Sequence, residues 1–317
     1  HLMVGEVLKN KQFEELNIEE YQDKTRAFLK IQDGCNRFCA YCLIPYTRGT
    51  TCSKDPENVL DEIKKLNEHG FKEIILSGIH TASYGIDLDG NVTLITLLEE
   101  IEKMDGIERV RIGSIEPSFF TDEVISKMKN MKKLCPQFHL SLQSGCDATL
   151  KRMNRRYTAK EYEEAVNKIR KNLRDASITT DVIVGFPGET DEEFNETYEY
   201  LKRIKLTKTH IFKFSPRKGT KAADMPNQVD GTIKDKRSKA LIQLNAENEG
   251  NFSKSLIGRE MDVLIEQEVS GKEGVFEGYT RNYVKVEIPN GNENMIGKII
   301  FCKIEAANCD YVVGKVI

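Results

Sequence analysis

Between Ala27 and Phe214 short apolar runs and amphipathic helical stretches alternate, which limits the folds open to this chain. The runs Ala27–Ile31, Glu73–Leu76, Arg109–Ile112, Gln137–Leu142, Ile178–Val184 and Thr209–Phe214 predict strands. The stretches Pro56–His69, Thr93–Met104, Thr121–Asn130, Ala159–Asn172 and Asp191–Ile204 predict helices between them. Pro56 suits a first helical turn, and Asp191-Glu192-Glu193 suit the positive end of a helix dipole. Strand–helix alternation of this kind predicts parallel strands with helices outside. Six units predict a partial (β/α)6 barrel rather than a full eight-unit one.

In such barrels ligands gather beyond the C-terminal strand ends. The first such segment holds Gly34 and the triplet Cys35-x3-Cys39-x2-Cys42. The later ones hold Ser77-Gly78-Ile79-His80, Ser114-Ile115-Glu116-Pro117, Gln143-Ser144-Gly145, Gly185-Phe186-Pro187-Gly188-Glu189-Thr190 and Ser215-Pro216-Arg217. Three closely spaced thiolates can hold three irons of a cubane cluster and leave the fourth open for chemistry. A structural zinc usually recruits four protein ligands, and no second cysteine or histidine pair follows here. Cys52, Cys135, Cys146, Cys302 and Cys309 are scattered and read as unligated thiols.

A polar helical stretch, Thr232–Asn251, precedes a change to period-two patterning. Glu260–Glu268, Gly274–Tyr279, Tyr283–Glu287, Lys298–Ile304 and Tyr311–Val316 predict five short strands and a small all-β barrel. Domain boundaries follow: 1–23 a linker or the remnant of an upstream domain, 24–251 the α/β barrel, 252–317 the β-barrel.

Net charge is only −3, so the total says nothing about nucleic acid. Its distribution says more. Lys202–Lys221 holds eight Lys/Arg and no Asp/Glu, and Lys151–Arg174 holds nine Lys/Arg against three Glu. Such stretches can neutralise phosphates. Residues 257–317 hold seven Lys/Arg against ten Asp/Glu, so RNA contact there needs a local face. Tyr279, Arg281, Tyr283 and Lys285 are the candidates. No apolar stretch approaches the roughly 20 residues of a membrane span, and His1-Leu2-Met3-Val4 opens no signal pattern. A reducing cytoplasmic location and no membrane partner are expected.

The segment Gly34-Cys35-Asn36-Arg37-Phe38-Cys39-Ala40-Tyr41-Cys42-Leu43-Ile44-Pro45-Tyr46-Thr47-Arg48-Gly49 resembles the cluster loop of the radical S-adenosylmethionine methylthiotransferases. So do Ser114-Ile115-Glu116-Pro117, Ser141–Asp147, Met153-Asn154-Arg155-Arg156-Tyr157-Thr158 and Gly185–Thr190. Ser77–Gly85 and Phe214–Thr220 look like the MtaB-like branch, which acts on threonylcarbamoyladenosine in tRNA. The resemblance runs from about Lys24 to the end and includes a TRAM-type C-terminal barrel.

The resemblance implies a radical-SAM barrel and methylthiolation of N6-threonylcarbamoyladenosine at tRNA position 37. It implies a [4Fe-4S] cluster on Cys35, Cys39 and Cys42, its open iron binding S-adenosylmethionine. Tyr41, Ser77, Gly78, Glu116, Gln143, Arg155 and Gly185 are the expected cofactor contacts. His80, Arg217, Lys218, Arg281 and Lys285 are the expected contacts to substrate or tRNA. An electron donor such as flavodoxin or ferredoxin is implied. The family carries an N-terminal domain whose three cysteines hold a second [4Fe-4S] cluster. Only 34 residues precede Cys35 here and none is Cys. The expectation is therefore a fragment competent for S-adenosylmethionine cleavage alone. The alternatives are a methylthiotransferase acting on a ribosomal protein, and a non-enzymatic RNA-binding iron–sulfur protein.

Overall fold

The computed structural model describes residues 13–14 and 25–317. The expected linker 1–23 therefore lies outside the described residues, apart from Phe13 and Glu14. The elements run β1 (Arg26–Asp33), α1 (Ile44–Arg48), β2 (Cys52–Ser53), α2 (Pro56–Glu68), β3 (Glu73–Gly78), α3 (Leu94–Lys103) and β4 (Arg109–Ile112). Then come α4 (Asp122–Met128), β5 (Gln137–His139), α5 (Asp147–Arg152), α6 (Ala159–Asn172), β6 (Ser177–Val184), α7 (Asp191–Ile204), β7 (Lys208–Lys213) and α8 (Gly231–Ser255). The last five strands are β8 (Glu260–Glu268), β9 (Val275–Thr280), β10 (Lys285–Pro289), β11 (Ile299–Ala307) and β12 (Val312–Val316).

The helices start where side chains satisfy free N–H groups. Thr158 with Glu161, and Thr190 with Glu193, form reciprocal capping boxes. Asp55 accepts from the Glu57 N–H ahead of Pro56. Apolar side chains at helical spacing, such as Val59, Ile63 and Leu66, face the sheet and are fully buried. Each contributes roughly 2 kcal/mol by leaving water.

Parallel pairing orders one sheet β2-β1-β3-β4 and another β5-β6-β7, with β2 as a short antiparallel arm. Isolated parallel bridges, Val110 to Leu134 and Ile115 to Leu140, join the two sheets. Among the described residues no ladder returns from β7 to β1, so the barrel stays partial. β5 is shorter than its apolar run. Beyond His139 the Leu142 N–H bonds the Thr180 hydroxyl at 3.0 Å instead of a ladder carbonyl. Gln143 then turns at φ 73°. Helix α5 has only six residues, too few for a periodic signal.

β8–β12 close into a second barrel, order β10-β12-β11-β8-β9. Helix α8 belongs to both cores. Leu241 and Leu244 pack in the first, while Phe252 and the following Leu256 pack in the second.

The two barrels meet at the N-terminal strand ends of the first. Glu73, fully buried, faces Arg26 Nε at 3.2 Å, Arg111 Nε at 3.1 Å and Arg109 Nη1 at 3.5 Å. Arg109 donates to the carbonyls of Tyr279 and Asp262, and Arg111 donates to that of Arg281. Tyr279 and Tyr283 stack at 4.7 Å, with Arg26 and Arg111 against Tyr283. The residues expected to form an RNA face lie at or beside this seam. Arg281 is held by Asp262 and the Lys132 carbonyl, and Lys285 by Glu277 at 2.5 Å. Among the described residues no helix is long and apolar enough to cross a membrane.

Candidate active site

The cysteine loop leaves β1 through Gly34, at φ 66°. A Cβ there would sit 1.9 Å from the Thr50 carbonyl oxygen, so only glycine fits. The loop is then tied on both sides. The Cys35 N–H donates to the Gly49 carbonyl at 3.1 Å, and the Ala40 N–H to that of Met153 at 3.0 Å. Asn154 Nδ2 donates to the Phe38 carbonyl at 2.9 Å. The Ala222 N–H donates to the Ala40 carbonyl at 2.8 Å, which brings the segment after β7 against the loop. The Met153–Thr158 segment thus acts partly as a brace.

Cys35, Cys39 and Cys42 line one cleft of about 110 Å3 with Arg37, Tyr41, His80, Glu116, Ser141 and Arg155. All three thiols are free and half-buried. Burial, and then the neighbouring Cys39 charge, pushes the Cys35 and Cys42 thiols up. A bound metal reverses that cost by stabilising the thiolates. Arg155 Nη1 stands 3.3 Å from Cys39 Sγ. Its Nη2 lies 3.5 Å from Glu116 Oε1. Glu116 Oε2 also meets Arg37 Nη2 at 2.6 Å and His80 Nε2 at 3.0 Å. Burial alone would raise this carboxyl. The bond to His80 and the charges of His80, Arg155 and Arg37 outweigh it and hold Glu116 at about 2.

The donor set suits a cluster better than a single ion. Three thiols from one short loop line one cleft, and in a cubane each thiolate takes a different iron, whereas a structural zinc usually recruits a fourth protein ligand.

The other expected contacts are placed less directly. Ser77, Gly78, Gln143 and Gly185 do not line the cleft. The Ser77 hydroxyl donates to the Leu29 carbonyl, and Gly78 packs on Gln32. Space beside Gly185 is filled by Lys234, and its N–H donates to Glu189. The close approach that this glycine permits is to α8. Arg217 and Lys218 are exposed on the segment beside the cysteine loop, and Arg217 is near enough for its charge to act on Cys42. Arg37 was missed among the site residues. Its position between two cluster cysteines was the available signal.

A Radical SAM superfamily model matches residues 29–201, and a TRAM domain model matches 254–317. The chain is 42% identical over 315 residues to threonylcarbamoyladenosine tRNA methylthiotransferase MtaB of Bacillus subtilis (strain 168). That alignment covers 98% of this chain and 69% of the relative. It is 39% identical over 304 residues to a tRNA-2-methylthio-N(6)-dimethylallyladenosine synthase of Thermoanaerobacter sp. (strain X514), covering 96% of this chain and 64% of that protein. Among solved structures it is similar to the radical S-adenosylmethionine methyltransferase TsrM from Kitasatospora setae, at TM-score 0.52 and 18% identity, over 62% of this chain and 38% of that one. At that identity the likeness bears on the fold alone.

Fold and cysteine loop together define a radical S-adenosylmethionine domain, which implies a [4Fe-4S] cluster and S-adenosylmethionine, joined to a TRAM domain. Within that superfamily the chain belongs to the tRNA methylthiotransferase family.

Proposed function

We propose that the chain serves 2-methylthiolation of N6-threonylcarbamoyladenosine at tRNA position 37. The carrying observation is the cleft itself: three thiols beside a carboxylate held ionised by its bond to His80 and by Arg155 and Arg37. The 42% identity to the Bacillus relative supports the choice of nucleoside. Cys35, Cys39 and Cys42 would hold three irons of the cluster. When bound, the cluster supplies the electron that splits S-adenosylmethionine into methionine and a 5′-deoxyadenosyl radical. Glu116, ionised throughout the physiological range, accepts from ribose hydroxyls. Arg155 offers its guanidinium to the cofactor carboxylate. Tyr41, edge-on to Phe186 at 6.4 Å, closes one wall against water.

The described residues supply the radical-generating part of the reaction. The sulfur would come from outside the described residues, from a second [4Fe-4S] cluster on an N-terminal domain of the family type, and the described residues alone would cleave S-adenosylmethionine without completing methylthiolation. A flavodoxin- or ferredoxin-type carrier supplies the electron, and a tRNA substrate fits a cytoplasmic reaction. The test is anaerobic reconstitution with iron, sulfide and reductant, followed by assay for 5′-deoxyadenosine. Its absence sinks the radical reading. In cells lacking the gene, tRNA nucleoside analysis should show N6-threonylcarbamoyladenosine without its methylthio mark. An unchanged mark sinks the choice of nucleoside.

A further inference from the structure

Arg37 and His80 each face two cavities. One is the cysteine cleft. The other, about 680 Å3, lies between the β3–α3 connection and the segment from Ser118 to Lys127. Its size is that of a preformed small-molecule site. Val92, Phe119 and Val124 give it apolar surface, and Ser83, Thr93 and Ser118 bring hydroxyls.

The wall is built rather than loose. Asp87 accepts from the Ser53 N–H at 2.9 Å and from the Ser53 hydroxyl at 2.6 Å. The Tyr84 hydroxyl donates to the Lys54 carbonyl at 2.9 Å. Gly85, at φ 89°, passes so near Val92 that a Cβ would lie 2.2 Å from its carbonyl oxygen. On this pinned connection Ile86 also faces the cavity and is 74% exposed, the most exposed large apolar side chain among the described residues. Holding it in water is a cost that a bound apolar or aromatic group would relieve.

We propose that this cavity receives the threonylcarbamoyl group on N6 of the target adenine while C2 faces the cysteine cleft. The inference rests on the tRNA reading above and names where that site reads its nucleoside. On adenine, C2 and C6 flank N1 along one edge. A group on N6 therefore projects to one side of C2, and a site acting at C2 needs a recess beside the reacting position. A cavity sharing a wall with the cleft is such a recess. Its lining matches the group part by part: apolar surface for the methyl, hydroxyls for the carbamoyl and hydroxyl oxygens, and Arg37 for the carboxylate. Arg37 spends Nη2 on Glu116 and Nε on His80, and Nη1 makes no hydrogen bond among the described residues.

The test is fluorescence anisotropy with three anticodon stem-loops, carrying adenosine, N6-threonylcarbamoyladenosine or N6-dimethylallyladenosine. The parent chain should prefer the threonylcarbamoyl loop over the plain one by about tenfold or more. Ser118→Trp and Asn91→Trp, at exposed cavity positions, should bring that ratio near one while melting like the parent. A ratio intact in both variants overturns the cavity and leaves the tRNA reading standing. A parent preference for the dimethylallyl loop overturns the assignment of the group. No binding to any loop sinks the tRNA reading and this inference with it.

Discussion

The two ends of the first barrel use the same device, one buried carboxylate gripped by three basic side chains. At the N-terminal end Glu73 is held by Arg26, Arg109 and Arg111. At the C-terminal end Glu116 is held by Arg37, His80 and Arg155. The difference lies in where the remaining donors go. Around Glu73 they end inside the seam, on carbonyls of the second barrel, the Tyr283 hydroxyl, Glu266 and Asp262, and Arg109 Nε and Arg111 Nη2 are buried without a hydrogen-bond partner among the described residues. Around Glu116 the Arg155 donors end on Cys39, the Tyr157 hydroxyl and the Ser141 carbonyl, and the group as a whole lines an open cleft. The first arrangement joins domains. The second is poised to bind, because its cations are fixed by a carboxylate yet keep faces for a ligand. A carboxylate–arginine cluster alone therefore does not mark a site; an open cleft lined by it together with the three thiols does.

The largest expected effect separates the two ends outright. Cys39→Ala should abolish cluster formation, read as iron and sulfide content after reconstitution. Cys135→Ala, at a fully buried thiol near the closed network, should keep it. Equal cluster content in both variants would break the assignment of function to the open end.

Next comes stability. Glu73→Gln leaves buried Arg111 without a carboxylate, and Arg26 and Arg109 with only Glu266 and Asp262, which should cost about 3 kcal/mol in chemical denaturation. Glu116→Gln should cost less, because water reaches its partners through the cleft. It should instead lower 5′-deoxyadenosine formation by about 10²-fold or more. Equal stability losses would mean that the closed and open networks do not differ as described.

Acid titration sharpens the same contrast. Burial would raise Glu73, but Arg111, Arg26 and Arg109 outweigh it and leave its pKa lowered from 4.5. A lowered folded-state pKa means stability that is full above the unfolded value and is lost as pH falls below it. Midpoints should therefore drop on acidification below about 4.5, and Glu73→Gln should flatten that limb. A variant that keeps the full acid slope would remove Glu73 as its source.

Much of this was legible because it is local. Strand–helix alternation is written in side-chain periodicity, and α6, α7 and β4 begin and end where the pattern changes. The cysteine spacing is contiguous, and so is the positive φ demanded of Gly34. What stayed hidden depends on partners far along the chain. Nothing near Arg281 reveals Lys132 across the seam, so its partner is not legible locally. The same holds of Lys285, since Glu277 reaches it only through the β9–β10 pairing. Nothing near Gly185, an expected cofactor contact, reveals Lys234 beside it, because Lys234 comes from α8.

The smallest effect concerns which cations meet RNA. Charge counts along the chain favour the region around Arg217, while the TRAM match favours residues 254–317. Pairing separates particular cations. In the second barrel Arg259, Lys272, Arg281 and Lys285 each face a carboxylate, while the exposed Lys298, Lys303 and Lys315 make no ion pair among the described residues. Arg217 and Lys218 make no ion pair among the described residues and flank the cysteine loop. A cation already neutralised by a carboxylate releases few counterions when a phosphate arrives, whereas an unpaired one contributes about one unit to the salt slope. Arg217→Ala with Lys218→Ala should therefore weaken stem-loop binding across sequences and lower the slope of log affinity against log salt by about two. Lys285→Ala should leave that slope within error of the parent. If Lys285→Ala flattens it instead, the RNA face lies on the second barrel, and the open end of the first serves the nucleoside alone.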